Sequence, residues 1–318
     1  MVVGGAGFIG AHMVDLLLND PAMAQVTVYD NFSSGRRWYL ERHAGDPRLR
    51  IVEADVADLE PLTAALAGHD VVVHLASNPD IARAATEPSI DFHSGTLLTN
   101  NVVEAMRLTG VPTILYASGS GVYGDLGEVE AGEDHGPLVP VSTYGASKLA
   151  GEALISSYVH MFGLRGRVFR FGNVVGPRQT HGVGFDFVRR LLANPAELRV
   201  LGDGTQSKSY VHVDDVLAAV LTAHRLEREP FREYNVATGD YVSVTEIAMV
   251  VMEALGLAPE TVQVRYSGGP RGWRGDVPVV RINSDRIRAL GWHNRLGSRD
   301  ALISAITAMI SDARAGRL

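Results

Sequence analysis

A glycine-rich turn near the amino terminus constrains the fold of this chain more than any other sequence feature. Residues 4–10 read Gly-Gly-Ala-Gly-Phe-Ile-Gly and separate a short apolar run from an amphipathic stretch. We expect Gly4 to permit a tight strand-to-helix turn, Gly7 to let a ligand approach the backbone, and Gly10 to let the helix pack closely on the strand. The N-terminus of such a helix presents unpaired N–H groups that suit a pyrophosphate. The turn therefore predicts a dinucleotide-binding unit.

The first half of the chain alternates short apolar runs with amphipathic stretches. This alternation predicts βαβ units and a parallel sheet that is covered by helices on both faces. The predicted strands are residues 1–3, 25–30, 49–55, 71–76, 113–118 and 167–171, and the predicted helices are residues 8–19, 59–67, 89–109 and 142–162. The predicted fold class is therefore α/β, with a doubly wound parallel Rossmann sheet.

The pattern changes after Gly176, where turn signals cluster at residues 202–204 and 268–270. A helix at residues 213–225 and a strand at residues 233–237 are expected to return to the sheet. We therefore predict a dinucleotide-binding domain of residues 1–176 plus about 210–237. Residues 177–209 and 238–318 are predicted to form a smaller, interleaved substrate lobe.

Composition excludes several classes of function. The chain has no cysteine, which excludes disulfides, thiolate catalysis and Cys-ligated zinc, and we expect no metal site and a reducing, cytoplasmic location. The formal net charge of -7 and the lack of a basic run argue against a nucleic-acid partner. No apolar stretch is long enough for a bilayer, and no basic segment precedes the glycine turn, so we expect neither a membrane anchor nor a signal peptide.

Asp30 ends the second predicted strand, twenty residues after Gly10. A carboxylate at this position can accept hydrogen bonds from both hydroxyls of the adenosine ribose, and it repels a 2′-phosphate. Arg36 and Arg37 follow closely, and their positive charges would instead favour a 2′-phosphate. We give the carboxylate of Asp30 more weight and predict NAD rather than NADP.

Two further strand ends are expected on the path of the cofactor. Asp55 and Val56 either contact the adenine or serve as a turn or helix N-cap. Residues 74–77 end the fourth strand, where we expect His74 to be packed rather than catalytic. The predicted cofactor-binding residues are Gly4, Gly7, Phe8, Ile9, Gly10, Asp30, Asn31, Ser33, Gly35, Asp55, Val56, Leu75, Ala76, Ser77, Tyr144, Lys148 and Phe171.

Tyr144 and Lys148 are four residues apart in a predicted helix, so their side chains share one face. A tyrosine phenol ordinarily has a pKa of about 10. An ammonium and an oxidised nicotinamide beside it favour the phenolate, which can act as a general base. This spacing also occurs on exposed helix faces. Its place after the fifth strand, in a chain with a dinucleotide turn, favours the catalytic interpretation.

These features together resemble the extended short-chain dehydrogenase/reductases. The segments that carry this resemblance are residues 4–10, 30–35, 122–124 and 144–148. Within that family the chain looks most like the UDP-glucose 4-epimerase group, and in particular its compact archaeal-type members. The matching segments in the second half are residues 173–178, 201–206, 271–273 and 275–277, so the resemblance covers nearly the whole chain.

The resemblance implies an NAD-dependent nucleotide-sugar 4-epimerase that acts on a UDP-sugar through a 4-keto intermediate. Tyr144 would take the proton of the sugar 4-hydroxyl while C4 passes hydride to NAD. The substrate residues that the resemblance implies are Asn173, which would contact the diphosphate or the sugar, and Asp186, Lys208, Tyr210 and Asp276 along the nucleotide path. It also implies a homodimer joined through the helices at residues 89–109 and 142–162, although their apolar faces suit a monomer core equally well.

The chain departs from the family pattern where a serine or threonine usually shares a hydrogen bond with the sugar 4-oxygen. That position is Gly119 here, and either Ser118 or Ser120 could supply the hydroxyl if the glycine-rich loop shifts. Alternatively, no hydroxyl reaches the sugar, and the site is slow or performs other chemistry.

Three further departures concern the nicotinamide side and the phosphates. Gly95 stands where related chains commonly carry Asn, and Lys208 stands where an Arg is usual. Lysine still neutralises a phosphate, but without a bidentate fork. Trp273 stands where larger epimerases have an arginine. Arg271 or Arg274 either covers the diphosphate instead or is a solvent-exposed charge.

Residues 120 and 121 help to separate the reactions of the family. Sugar 4,6-dehydratases carry Asp-Glu there and UDP-glucuronate decarboxylases carry a Glu, whereas this chain has Ser120 and Gly121, which disfavours both reactions. The alternatives are a UDP-glucuronate or UDP-N-acetylhexosamine 4-epimerase, a 4-reductase, or a non-catalytic NAD-binding sensor. The intact Tyr144–Lys148 pair argues against a sensor, while Gly119 and Gly95 leave it open.

Overall fold

Two compact units make up the computed structural model, which describes residues 1–317. The first unit contains residues 1–122, 143–170 and 220–234, and the second contains residues 123–142, 171–219 and those from 235 onward. The units are therefore interleaved along the chain.

Thirteen strands are present in the described residues. They are β1 Val2–Val3, β2 Val26–Asp30, β3 Leu49–Glu53, β4 Val71–His74, β5 Thr113–Gly119, β6 Arg165–Phe171, β7 Asn173–Val175, β8 Glu197–Val200, β9 Ser207–Lys208, β10 Tyr210–His212, β11 Phe231–Val236, β12 Val242–Ser243 and β13 Gln263–Tyr266.

Nine α-helices accompany them in the same range, residues 1–317. They are α1 Phe8–Leu18, α2 Leu59–Leu66, α3 Leu97–Thr109, α4 Thr143–Phe162, α5 Val183–Ala193, α6 Val213–Leu226, α7 Val244–Leu255, α8 Asp285–Arg288 and α9 Ser298–Arg314. No helix of this part of the chain combines the length and the apolar character that a membrane crossing requires.

A seven-stranded parallel sheet has the order β11-β6-β5-β4-β1-β2-β3. β1 pairs in parallel with β2 on one side and with β4 on the other, so the strand order reverses at β1. Every residue of β2 is buried, because helices cover both faces of the sheet. Ligands of such sheets bind beyond the carboxyl ends of the strands at the reversal, and the glycine turn follows β1 there. The predicted doubly wound α/β class is confirmed.

The predicted helix at residues 89–109 is not a continuous α-helix. Phe92–Thr96 form a π-helical stretch, and α3 begins only at Leu97. A Cβ on Gly95 would lie 2.8 Å from Ser147 Oγ on α4, so glycine allows the π-helical stretch to approach α4. The other predicted elements agree in type with the structure, and their ends differ by two residues at most.

The observed units differ from the predicted domain boundaries in four stretches, residues 123–142, 171–176, 210–219 and 235–237. Within the second unit β7 pairs in parallel with β10, and this pairing joins residues 171–176 and 210–219 to that unit. Residues 123–142 also belong to it. There Asn235 Nδ2 donates to the Ala131 carbonyl at 3.0 Å, and Asn235 Oδ1 accepts from the Tyr123 hydroxyl at 2.8 Å.

The second unit has its own apolar core, to which α5, α7 and α9 contribute Phe187, Ile247 and Ile306. Two short sheets accompany it, since β12 pairs antiparallel with β9 and β13 pairs in parallel with β8. The Ser243 hydroxyl and the Glu246 carboxylate form a capping box that starts α7 at the end of β12.

Candidate active site

Two positions of the glycine turn lie so close to neighbouring backbone atoms that they have no room for a side chain. Gly4 has a φ of 80°, and a Cβ on it would lie 2.6 Å from the Ala76 nitrogen. A Cβ on Gly10 would lie 2.2 Å from the Gly4 carbonyl oxygen. α1 can therefore approach β1, and the segment after β4 can approach the turn, only because both residues are glycines.

The N-terminus of α1 suits a phosphate ligand. Gly7 is the N-cap residue, and no side chain caps the helix. A Cβ on Gly7 would meet only the Gly4 oxygen, at 3.4 Å, so the space in front of the helix is open. Phe8 is buried and Ile9 partly buried in the first turn. The backbone N–H groups and the helix dipole there fit the pyrophosphate of a dinucleotide.

Asp30 is buried at the carboxyl end of β2. Its Oδ2 accepts from the Ala6 N–H at 2.8 Å and its Oδ1 accepts from the Phe32 N–H at 2.8 Å, while burial raises its pKa. A Cβ on Gly35 would lie 2.9 Å from Asp30 Oδ1, so the following loop closes on the carboxylate. Arg37 is paired with Glu53 at 2.5 Å, which removes an argument for a cofactor that carries a 2′-phosphate.

Asp55 and Val56 make turn contacts at the end of β3. Asp55 Oδ1 accepts from the Ala57 N–H and its Oδ2 accepts from Asn31 Nδ2, both at 2.8 Å. The Val56 carbonyl accepts from Asn101 Nδ2 at 3.0 Å. These contacts agree with the turn interpretation, and they also orient Asn31 at the end of β2. The Ser33 N–H in turn donates to Asn31 Oδ1 at 3.0 Å.

β4 ends at His74, and Leu75, Ala76 and Ser77 follow it as partly buried residues. Thr99 Oγ1 donates to the Gly95 carbonyl at 3.0 Å, so its oxygen accepts from His74 Nε2 at 3.1 Å and the ring is the neutral Nε2–H tautomer. Burial, helped by the Lys148 ammonium, lowers the pKa of His74 to about 3. His74 is thus a packed, neutral residue.

Tyr144 and Lys148 lie one turn apart at the start of α4. Lys148 is buried, and its Nζ donates to the Ala117 carbonyl of β5 at 2.8 Å. The same nitrogen lies 5.5 Å from the centre of the Tyr144 ring and 5.2 Å from that of Tyr116. The hydrogen bond to β5 therefore fixes the ammonium beside the phenol.

Burial shifts both members of the pair towards their neutral forms. It raises the pKa of Tyr144 to about 12, with the charge of Asp91 adding to the rise and the Ser77 hydroxyl opposing it. It lowers the pKa of Lys148 to about 8, against the charges of Asp91 and Glu152. The phenol is therefore protonated at neutral pH in the protein alone, and its ionisation requires further positive charge, such as that of an oxidised nicotinamide.

The two candidate hydroxyls beside Gly119 differ in their surroundings. Ser118 is buried and donates to Glu152 Oε1 at 2.5 Å, while Arg170 pairs with Glu152 Oε2 at 2.7 Å. Ser120 is partly exposed, and its hydroxyl has no hydrogen-bond partner among residues 1–317. A Cβ on Gly119 would meet no heavy atom within 4 Å. Of the two serines, Ser120 is the one with an unengaged hydroxyl.

Asn173 and Tyr210 face each other across the β7–β10 pair of the second unit. Burial raises the pKa of the Tyr210 phenol to about 12, against the effect of its hydrogen bond with Asn173. Phe171, at the end of β6, is buried. These three predicted residues thus lie within or directly before one short parallel pair.

The remaining predicted substrate residues of this unit include two cations that face carboxylates. Lys208 Nζ pairs with Asp276 Oδ1 at 2.7 Å, and Arg271 Nη2 pairs with Asp125 Oδ2 at 2.6 Å. Arg271 also donates to the Asp276 carbonyl. Arg274 is exposed and forms no hydrogen bond or ion pair within the described part of the chain. Asp186 is exposed in the first turn of α5.

Three charged residues near these positions were not predicted from the sequence. Glu152 lies one turn after Lys148 on α4, and this spacing could have indicated from the sequence that the two side chains share a helix face. Asp91 is buried, although an acidic residue in an amphipathic stretch is ordinarily exposed. Asp125 meets Arg271 from 146 positions away, and no local pattern indicates such a contact. Among residues 1–317 no group of three or more His, Asp or Glu side chains could hold a metal ion.

Comparison with known proteins identifies the family. Residues 1–237 match the NAD dependent epimerase/dehydratase family. A relative from Methanocaldococcus jannaschii, provisionally named a UDP-glucose 4-epimerase, is 30% identical, and the match covers 99% of each chain. A solved UDP-galactose 4-epimerase is 37% identical with a TM-score of 0.86, and the match covers 98% of each chain.

A dTDP-glucose 4,6-dehydratase from Streptomyces venezuelae, solved as a double mutant with NAD bound, is 28% identical with a TM-score of 0.90. That match covers 99% of this chain and 97% of the dehydratase chain. The resemblance found in the sequence is thereby confirmed, as is NAD as the cofactor. The chain belongs to the NAD dependent epimerase/dehydratase family and is an NAD-dependent enzyme of sugar-nucleotide epimerase type.

Proposed function

We propose that this chain is a UDP-hexose 4-epimerase that interconverts UDP-glucose and UDP-galactose through a 4-keto sugar. The observation that carries the proposal is the Tyr144–Lys148 pair on α4, together with the end of β5 and the residues after it, residues 119–122, which hold no carboxylate. The names of the similar epimerases support the same reaction.

The chain's own residues account for binding and proton transfer. The glycine turn would hold the pyrophosphate of NAD at the N-terminus of α1, and Asp30 would hold the adenosine ribose. NAD, when bound, supplies the acceptor and donor of hydride. Tyr144 takes the proton of the sugar 4-hydroxyl and later returns it, and the Lys148 ammonium stabilises the phenolate between these transfers.

Elimination of water, the reaction named for the similar dehydratase, needs an acid and a base beside the sugar. The two buried carboxylates that act on the Tyr144–Lys148 pair have partners of their own, since Asp91 accepts from Asn78 and Thr143, and Glu152 pairs with Arg170. Ser120 and Gly121 offer no carboxylate. The proposal therefore favours epimerisation over dehydration.

For the nucleotide, we assign the predicted residues of the second unit to the diphosphate and its surroundings. Lys208 and the unpaired Arg274 would neutralise the phosphates, and Asp276 would orient Lys208 through their ion pair. Arg271 would support this site, since it donates to the Asp276 carbonyl and pairs with Asp125. Asn173, Tyr210 and Asp186 remain proposed neighbours of the nucleotide.

The direct test needs no added cofactor. Purified protein should release NAD on denaturation, and fresh protein should convert UDP-glucose and UDP-galactose into each other, as followed by NMR at C4. NADH that accumulates with turnover, or a product that lacks a hydroxyl, would contradict the proposal.

A second candidate is the same reaction on a UDP-sugar with a carboxylate or an N-acetyl group. The open space at Gly119 favours it, because a missing side chain leaves room beside the segment that follows β5. UDP-glucuronate and UDP-N-acetylglucosamine belong in the same NMR assay. A kcat/KM at least tenfold higher for either than for UDP-glucose would replace the first candidate with the second.

Ser120 is our proposed hydroxyl partner of the sugar 4-oxygen, since Ser118 donates to Glu152. We expect Ser120→Ala to lower kcat by about 10- to 100-fold, which corresponds to one hydrogen bond to a charged group. Adding Gly119→Ser to Ser120→Ala should restore part of the activity, because the new side chain meets open space. Unchanged kcat in Ser120→Ala would remove Ser120 from this role.

We further propose that the enzyme works in the cytoplasm as a homodimer. Leu108 on α3 and Met161 and Phe162 on α4 are exposed apolar residues that a second copy would cover. Sedimentation equilibrium should give a dimer mass, and a monomer at micromolar concentration would contradict the homodimer.

A further inference from the structure

Asp91 is a buried carboxylate that the mechanism above does not use. Its side chain is 1% exposed. One oxygen accepts from Asn78 Nδ2 at 2.8 Å, and the other accepts from Thr143 Oγ1 at 2.7 Å. Both partners are neutral, and no cation pairs with Asp91 in the described residues. Its negative charge therefore acts on whatever titratable groups lie nearby.

The position of Asp91 ties it to the start of α4. Thr143 is the first residue of that helix and directly precedes Tyr144. The π-helical stretch begins at Phe92, immediately after Asp91, and it packs on α4 where Gly95 meets Ser147. The backbone on both sides of the carboxylate is thus held against the helix that carries the catalytic pair.

The charge of Asp91 acts on both members of that pair. It raises the pKa of Tyr144 and that of Lys148. Tyr116 of β5 and His74 of β4 also face the pair, but His74 is neutral. Glu152 acts on Lys148 as well, yet its own charge is matched by Arg170 at 2.7 Å. Asp91 is therefore the buried carboxylate, without an ion-pair partner at hydrogen-bond distance in the described residues, whose charge acts on both the phenol and the ammonium.

We propose that Asp91 is a positioning residue of the Tyr144–Lys148 pair, whose buried carboxylate keeps the phenol and the ammonium protonated until positive charge is added beside them. This role rests on the proposed function only in that Tyr144 and Lys148 are taken to be the catalytic pair. It makes proton abstraction depend on the oxidised cofactor, since the nicotinamide carries the compensating charge. Without the carboxylate the phenol would ionise at lower pH.

The test measures ionisation rather than turnover, so it stands even if the proposed substrate is wrong. Holoenzyme loaded with NAD is titrated by ultraviolet phenolate absorbance, and the matching titration of a Tyr144→Phe protein is subtracted to isolate Tyr144. In Asp91→Asn we expect the midpoint of Tyr144 to fall by about one pH unit, as for the loss of one nearby like charge. An unchanged midpoint in folded Asp91→Asn protein would overturn the proposal.

Thr143→Val is the matched control, because it removes the hydrogen bond to α4 but keeps the carboxylate. We expect its midpoint to stay within about 0.3 pH units of the wild-type value, well inside the shift that a nearby charge produces. If Thr143→Val shifts the midpoint downward as far as Asp91→Asn does, the hydrogen bond rather than the charge is responsible, and the proposal fails.

The Asp91→Asn amide can keep both hydrogen bonds, because its oxygen accepts from Asn78 Nδ2 and its NH2 group donates to the Thr143 hydroxyl. Asn78→Ser combined with Asp91→Asn is a second variant without the carboxylate, in which a hydroxyl replaces the Asn78 amide as the hydrogen-bond partner. The double variant should show the same downward shift of the midpoint. A wild-type midpoint in the folded double variant would also overturn the role of Asp91, whereas a failed epimerase assay would bear only on the proposed reaction.

Discussion

Tyr144→Phe is expected to lower kcat by at least 10²- to 10⁴-fold, the range that general acid–base groups contribute. The substitution removes the phenolic oxygen to which the proposed mechanism assigns the sugar proton, while the ring and its contact with Lys148 remain. NAD content and UDP binding should be largely retained, because the glycine turn and Asp30 remain to hold NAD and the residues assigned to the nucleotide lie in the second unit. Single-turnover NMR and isothermal titration with UDP measure the two effects separately.

Tyr234→Phe is the matched control for this substitution. The Tyr234 hydroxyl bonds to Glu227 and its ring stacks on Phe169, away from the catalytic pair. We expect a loss of about 1 kcal/mol in the free energy of unfolding and an unchanged kcat. Substantial turnover by Tyr144→Phe would show that another group moves the proton.

Gly10→Ala is the second substitution with a large expected effect. Its Cβ would lie 2.2 Å from the Gly4 carbonyl oxygen, and that atom belongs to the backbone and cannot rotate away. We expect the free energy of unfolding to fall by about 3 kcal/mol or more, as for severe overpacking. The purified protein should also carry almost no NAD. Denaturant titration and cofactor release measure the two losses.

Gly7→Ala separates folding from cofactor binding. Gly7 has a φ of -77°, which alanine adopts freely, and its nearest contact would be at an ordinary 3.4 Å. We therefore expect stability equal to that of the wild type or up to about 1 kcal/mol higher. The NAD content should nevertheless fall, because the new methyl group occupies the approach of the pyrophosphate. If Gly7→Ala retains full NAD content, the cofactor does not lie against this helix end.

Much of the first unit could be predicted from sequence because its signals are local. Alternating apolar runs indicate buried parallel strands, and the spacing from Gly10 to Asp30 reflects one βαβ passage. The pair Tyr144 and Lys148 follows from helical periodicity alone. The π-helical stretch at Phe92–Thr96 could not be predicted in this way, because it arises where Gly95 packs against Ser147, a residue distant in sequence.

The sequence by itself determined the α/β class, the glycine turn, the acidic end of β2 and the spacing of the catalytic pair, since each depends on residues that are neighbours in the chain. Only the tertiary structure decided that Ser118 is engaged by Glu152, that Arg271 faces Asp125, and that Asp91 is buried and bonded to the first residue of α4. These facts depend on hydrogen bonds and ion pairs between segments far apart in sequence. Burial then sets the strength of their charges, and burial is a property of the packed chain alone.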